Sequence, residues 1–144
     1  MQEENGKTYA HFLTTVQYFK LDAACIPLEA AFKESGFGLY LVGSVLRRPD
    51  WRDVDIRAIL EDSEYDRIFP KTDKWCENAM WKMMCISISH YLSAVTGLPI
   101  DFQIQRQTQA NERYPSKDGH MRNAIGLFIH DYDRISDGSI QVTP

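Results

Sequence analysis

Two short segments limit what this chain can fold into. DVDIRAIL (residues 53–60) and PIDFQIQ (99–105) alternate apolar and polar residues with the two-residue period of a β-strand. In the first, Val54, Ile56 and Ala58 share one face, and Asp53, Asp55 and Arg57 share the other. In the second, Ile100, Phe102 and Ile104 alternate with Asp101, Gln103 and Gln105. Each strand must bury one side and leave acid on the other. Aspartate is a poor strand former, so its repetition at the heads of two strands indicates a chemical use. The pattern predicts an α/β (α+β) fold: a small mixed β-sheet with helices packed on one face and carboxylates on the open face.

The remaining segments supply the helices. TYAHFLTTVQYFK (8–20) sets Phe12, Leu13, Val16 and Phe19 on one helical face and predicts a first amphipathic helix. Pro27 suits the first turn of a second helix, LEAAFKES, ending at Gly36. GLYLVG reads as a short, fully buried strand, RRPDWR as a loop, and EDSEYDRIFPKTD as a polar connection. From about Trp75 a helical stripe of Trp81, Met84, Cys85, Ile88, Tyr91, Leu92 and Val95 runs to a stop at Gly97 and Pro99. Trp75 and Trp81 are expected in that helix, as core rather than base-stacking platforms. Beyond Thr108 turn residues dominate, with one apolar stretch, AIGLFIH, that fits a strand or a helix end.

With 144 residues, 44% of them hydrophobic, the chain fits one domain, 1–144, around one core. A net charge of −4 removes any global basic field that would draw the protein onto nucleic acid. MQEENGKTYA lacks the basic and apolar regions of a signal peptide, and no run of about 18 apolar residues offers a membrane span. Cys25, Cys76 and Cys85 show no paired or zinc-type spacing and read as core thiols of a cytoplasmic protein.

Residues i and i+2 of a strand point the same way, roughly 6–7 Å apart, so Asp53 and Asp55 can grip one hard cation. Asp101 completes the cluster if its strand is a neighbour. Converging carboxylates repel, and a divalent ion relieves them. Mg2+ takes one or two protein carboxylates and leaves the rest of its shell to phosphate and water. Just upstream, Gly43-Ser44 ends an apolar strand at a turn whose backbone N–H groups and hydroxyl can receive phosphate oxygens.

The order apolar strand, Gly-Ser, short spacer, Asp-x-Asp, then a later strand with one Asp resembles the nucleotidyltransferase superfamily that includes DNA polymerase beta. The resemblance spans Gly38–Leu60 and Pro99–Gln105 and implies a minimal single-domain member. It implies that Asp53, Asp55 and Asp101 are catalytic and bind Mg2+, with Mn2+ as the substitute. Gly43 and Ser44, helped by Arg47 and Arg57, would hold the nucleotide. The implied reaction moves a nucleoside monophosphate from an NTP to an acceptor hydroxyl on a protein, an RNA end or a small molecule, releasing pyrophosphate. A homodimer or a partner protein would complete the acceptor site.

Blander readings stand beside these. Arg57 serves equally as a neutralising neighbour of the aspartates. His11, His90, His120 and His130 form no ligand spacing and read as surface or structural. Residues 113–122, with Arg113, Lys117 and Arg122, are a solvated loop by default and a basic lid as the alternative. The whole chain also suits a catalytically silent binding module or antitoxin-like subunit. A two-metal nuclease would use clustered carboxylates too, but has no need of the Gly-Ser turn.

Overall fold

The structure is a computed structural model and describes residues 11–36, 38–70, 78–115 and 121–126. Four strands form one mixed sheet: β1 (Gly38–Val42), β2 (Val54–Leu60), β3 (Ile100–Arg106) and β4 (Arg122–Ala124), in the order β3-β2-β1-β4. β1 runs antiparallel to β2 and β4, while β2 and β3 are parallel. Four helices accompany them: α1 (Thr15–Phe32), α2 (Asp62–Ile68), α3 (Ala79–Thr96) and α4 (Gln107–Arg113). None of the described helices is long and apolar enough to cross a membrane.

The predicted alternation sets the layers. Leu39 and Leu41 of β1, Val54, Ile56, Ala58 and Leu60 of β2, and Ile100, Phe102 and Ile104 of β3 are buried against Leu21, Ala24, Cys25, Leu28 and Phe32 of α1 and Cys85 and Leu92 of α3. Helices thus cover the apolar face, as the strand pattern requires. Cys25 and Cys85 are buried free thiols; Cys76 lies outside the described residues, as do Trp75, Lys117, His120 and His130.

The helical expectations need correction. The two predicted N-terminal helices are one. It starts at a capping box, where the Thr14 hydroxyl accepts from Gln17 N–H and the Gln17 side chain accepts from Thr14 N–H. It passes through Pro27 without ending. An interior proline costs about 3 kcal/mol; burial of Ala24, Cys25, Leu28 and Phe32 on both sides of it offsets that. The packed face also differs from the one predicted, since Val16 and Phe19 are 63% and 53% exposed. EDSEYDRIF is not a plain connection but contains α2, and α4 follows β3 where only turns were expected. AIGLFIH contributes Ala124 to β4, and its residues from 127 on lie outside the described ones.

α3 does more than cover the sheet. Its residues at four-residue intervals reach the outward backbone groups of the edge strand β3. Ser93 Oγ accepts from Ile100 N–H (3.1 Å). Ser89 Oγ accepts from Phe102 N–H (2.9 Å) and donates to the Phe102 carbonyl (3.4 Å). Cys85 Sγ accepts from Ile104 N–H (3.5 Å), and Trp81 Nε1–H donates to the Ile104 carbonyl (2.8 Å). A helix face stands in for a fifth strand. Its predicted stripe is only partly core: Cys85 and Leu92 are buried, whereas Val95 is 53% exposed.

Candidate functional site: an acidic row across the sheet

The strand register decides what the predicted residues can do together. Asp55 lies directly opposite Asp101 across the parallel β2–β3 pair, where neighbouring strands are about 4.8 Å apart. On its other side Asp55 faces Val42 of β1, and Val42 faces Arg122 of β4. Residues opposed across a sheet share a face. One transverse row therefore reads Asp101, Asp55, Val42, Arg122. The next row reads Gln103, Arg57, Tyr40, Ala124. Asp53 is exposed and immediately precedes β2, whose start is pinned to β3 by Val54 N–H donating to the Pro99 carbonyl (2.8 Å).

Gly43 closes the row from above β1. Its φ of +80° is one that glycine alone adopts without strain, and a Cβ built there would collide with Asp55 Oδ2. The backbone at the turn is therefore pressed against the carboxylate. Gly43 and Ser44 open a single 3-10 turn, Gly43–Leu46, closed by Arg47 and Arg48 N–H groups donating to the Ser44 carbonyl (2.9 and 3.0 Å). Arg47 is exposed beyond the turn.

The charges respond to this packing. Partial burial pushes the Asp55 carboxyl above its ordinary value; Asp101 and Asp53 push the same way, and Arg57 and Arg47 oppose them. Arg57 is the buried cation of the site, only 7% exposed. Its Nη1 donates to the carbonyls of Ile56 and Asp101 (3.0 Å each), and its Nη2 to Asp101 Oδ2 (3.2 Å). Its Nε is buried without a hydrogen-bond partner. Arg57 thus holds Asp101 in place and neutralises part of the row. At the far end the Arg122 guanidinium lies 4.6 Å from the centre of the Tyr40 ring, and its Nη1 donates to Asn111 Oδ1 of α4 (2.9 Å).

The donor set suits a hard divalent ion, since the row offers carboxylate oxygens without sulfur or imidazole. Among the described residues no group of three or more His, Cys, Asp and Glu is drawn together into a metal cage. Asp55 and Asp101 form an open, two-carboxylate platform. That matches Mg2+, which takes few protein ligands and arrives with phosphate oxygens, better than it matches a resident structural metal.

Several features were not predicted from sequence. A groove of about 510 Å³ runs along the end of β3, between α2, the first turn of α3 and α4, and its lining includes Gln103, Gln105, Tyr65, Phe69, Trp81 and Arg113. Of the basic segment 113–122, Arg113 lines this groove and Arg122 belongs to β4. His11 is structural: it is buried, stacks on Tyr18 with ring centres 4.8 Å apart, and its Nδ1 accepts from Leu13 N–H (3.2 Å). The backbone pairing that makes the acidic row has no signature in local composition, and Arg122 carries none beyond its charge.

The fold and site together define a mixed α/β domain with a four-stranded mixed sheet and a paired-aspartate row on the face opposite the one buried against α1. No family model, no curated protein and no solved structure matches this chain.

Proposed function

We propose that this protein is a nucleotidyltransferase of minimal size that transfers a nucleoside monophosphate from an NTP to an acceptor hydroxyl. The observation that carries the proposal is the register that sets Asp55 beside Asp101 with the Gly43 turn pressed against Asp55. A random Asp-x-Asp has no reason to meet a third aspartate across a parallel strand pair, or a glycine whose missing side chain leaves room for the carboxylate.

The row has a direction. The Gly43-Ser44 turn and Arg122 lie on the β1–β4 side of Asp55, where backbone N–H groups, a hydroxyl and a cation can receive the triphosphate. Asp101 lies on the β3 side, facing the acceptor. Mg2+, or Mn2+ in its place, would be held by Asp55 and Asp101 with Asp53 leading in, and would supply charge neutralisation for the triphosphate. The acceptor oxygen forms a bond to the α-phosphorus as the bond to the pyrophosphate oxygen breaks. The hydroxyl proton passes to the Asp101 carboxylate, which Arg57 holds by one oxygen. Pyrophosphate leaves on the Gly43 side. Arg57 acts here as a positioning residue rather than a phosphate ligand, because it is buried and its Nη1 and Nη2 are spent on Asp101 and Ile56.

Incubation with each of the four labelled NTPs and Mg2+, in cell extract and alone, is the direct test. The expected result is pyrophosphate release and label on an acceptor, both abolished by Asp55→Asn. Absence of label and pyrophosphate with all four nucleotides refutes the activity. The Arg57–Asp101 pair favours one second reading, a silent nucleotide-binding module, since it already neutralises one carboxylate. Calorimetric binding of Mg2+ and NTP with no turnover in extract selects that reading.

A further inference from the structure

The groove at the end of β3 is not used by the reaction outlined above, and its chemistry is specific. Its walls are aromatic: Phe69 is buried, Tyr65 packs on it with ring centres 5.2 Å apart, and Trp81 faces the same space with its indole N–H committed to Ile104. Its polar groups include several amides beside Asp66, Arg106 and Arg113. Gln103 and Gln105 enter from β3, and the Gln105 side-chain oxygen is buried with no hydrogen-bond partner. A buried acceptor without a donor is unfavourable, so the groove is built with one acceptor in want of an N–H. Of the two arginines in the lining, Arg106 is neutralised internally, clamped by Asp62 and Asp66 through contacts of 3.0 Å, and the Arg113 guanidinium lies 5.7 Å from the centre of the Tyr114 ring. The space therefore suits a planar ring with N–H and carbonyl groups on its edge. At about 510 Å³ it is within the usual range of small-molecule sites.

Its position gives that ring a role. Gln103 follows Asp101 on the same strand face, roughly 6–7 Å further along, on the side of the row away from Gly43 and Arg122. We infer that this groove binds a nucleobase and that the acceptor is a nucleoside, free or at a chain end, with its sugar hydroxyl directed toward Asp101. The acceptor role rests on the proposed transferase reading; the binding of the base does not. The bond changes are those already given, with the nucleoside hydroxyl oxygen as the nucleophile and pyrophosphate as the leaving group.

The test separates the two. Adenosine, guanosine, cytidine and uridine are titrated calorimetrically into the whole protein in EDTA, with no NTP present; ribose and benzyl alcohol serve as controls. The expected result is saturable binding of at least one nucleoside and none of either control. Gln105→Leu, which keeps the size but removes the acceptor, is expected to weaken binding at least about tenfold. Asp55→Asn is expected to leave it unchanged. If no nucleoside binds, if the controls bind as well, or if Gln105→Leu binds as wild type, the inference is overturned. Pyrophosphate release with none of the nucleosides bound overturns the groove assignment alone. Nucleoside binding by a protein that releases no pyrophosphate upholds the groove and refutes the transferase.

Discussion

Gly43→Ala tests the geometry of the acidic row without any assay of activity. Two separable costs arise. Placing a side chain at φ +80° costs about 1–2 kcal/mol, since L-residues are disfavoured there. The new methyl also overlaps Asp55 Oδ2. Asp55 is short and its backbone is locked between β1 and β3, so relief requires a shift of the kind that costs about 1–3 kcal/mol in overpacked sites. Together they predict a loss of about 2–5 kcal/mol in the wild-type background. In an Asp55→Ala background the overlap is gone and only the backbone cost of about 1–2 kcal/mol remains. Urea unfolding of the four proteins, with equal m-values, measures both losses. The expected coupling is about 1 kcal/mol or more, beyond the ~0.3–0.5 kcal/mol scatter of independent sites. Equal losses in the two backgrounds would show that the turn does not press on Asp55, and the reasoning for a built anion cradle beside the carboxylate would fail.

Asp55→Asn is expected to stabilise the free protein at pH 7. The folded carboxyl holds its proton to higher pH than an ordinary aspartate, so its favourable contribution is complete below the ordinary value and is lost as pH rises through the folded one. The stability gap between variant and wild type should therefore narrow from pH 7 toward pH 4, and urea midpoints that stay equally separated would contradict the desolvation assigned to this group. Ser89→Ala strips two backbone bonds from the edge of β3 and is expected to cost about 1–3 kcal/mol. Ser87→Ala, on the exposed side of the same helix, should change stability by less than about 0.5 kcal/mol in the same measurement. Native alkylation followed by peptide mass mapping should leave Cys25 and Cys85 unmodified until denaturant is added, because burial pushes both thiols above their ordinary range.

The strands were legible because two-residue alternation reports directly on which side is buried. Val54, Ile56, Ile100 and Phe102 could face only a core, and Asp55 and Asp101 then had to face away from it. That the two aspartates stand opposite each other is a fact of pairing, set by β2 and β3 lying parallel in a particular register, and local pattern carries no such information. Pro27 misled because proline suits the first turn of a helix by local rule, whereas tertiary burial of Cys25 and Leu28 carries α1 through it. QTQANER has a single apolar residue, the buried Ala110, so α4 left no periodic trace. Ser89 and Ser93 look like solvent-facing residues in sequence; their role depends on a strand edge that exists only in the folded chain. Arg57 was weighed as phosphate ligand or neutraliser, and its contacts with Asp101 favour the second.

The bonds from α3 to β3 also govern what can dock on this protein. With the outward N–H and carbonyl groups of Phe102 and Ile104 already engaged, no foreign extended peptide can be stitched onto that margin, and a sister molecule cannot prolong the sheet from there. The flank nearest Asp101 is thereby spared the strand-to-strand polymerisation that bare sheet borders invite.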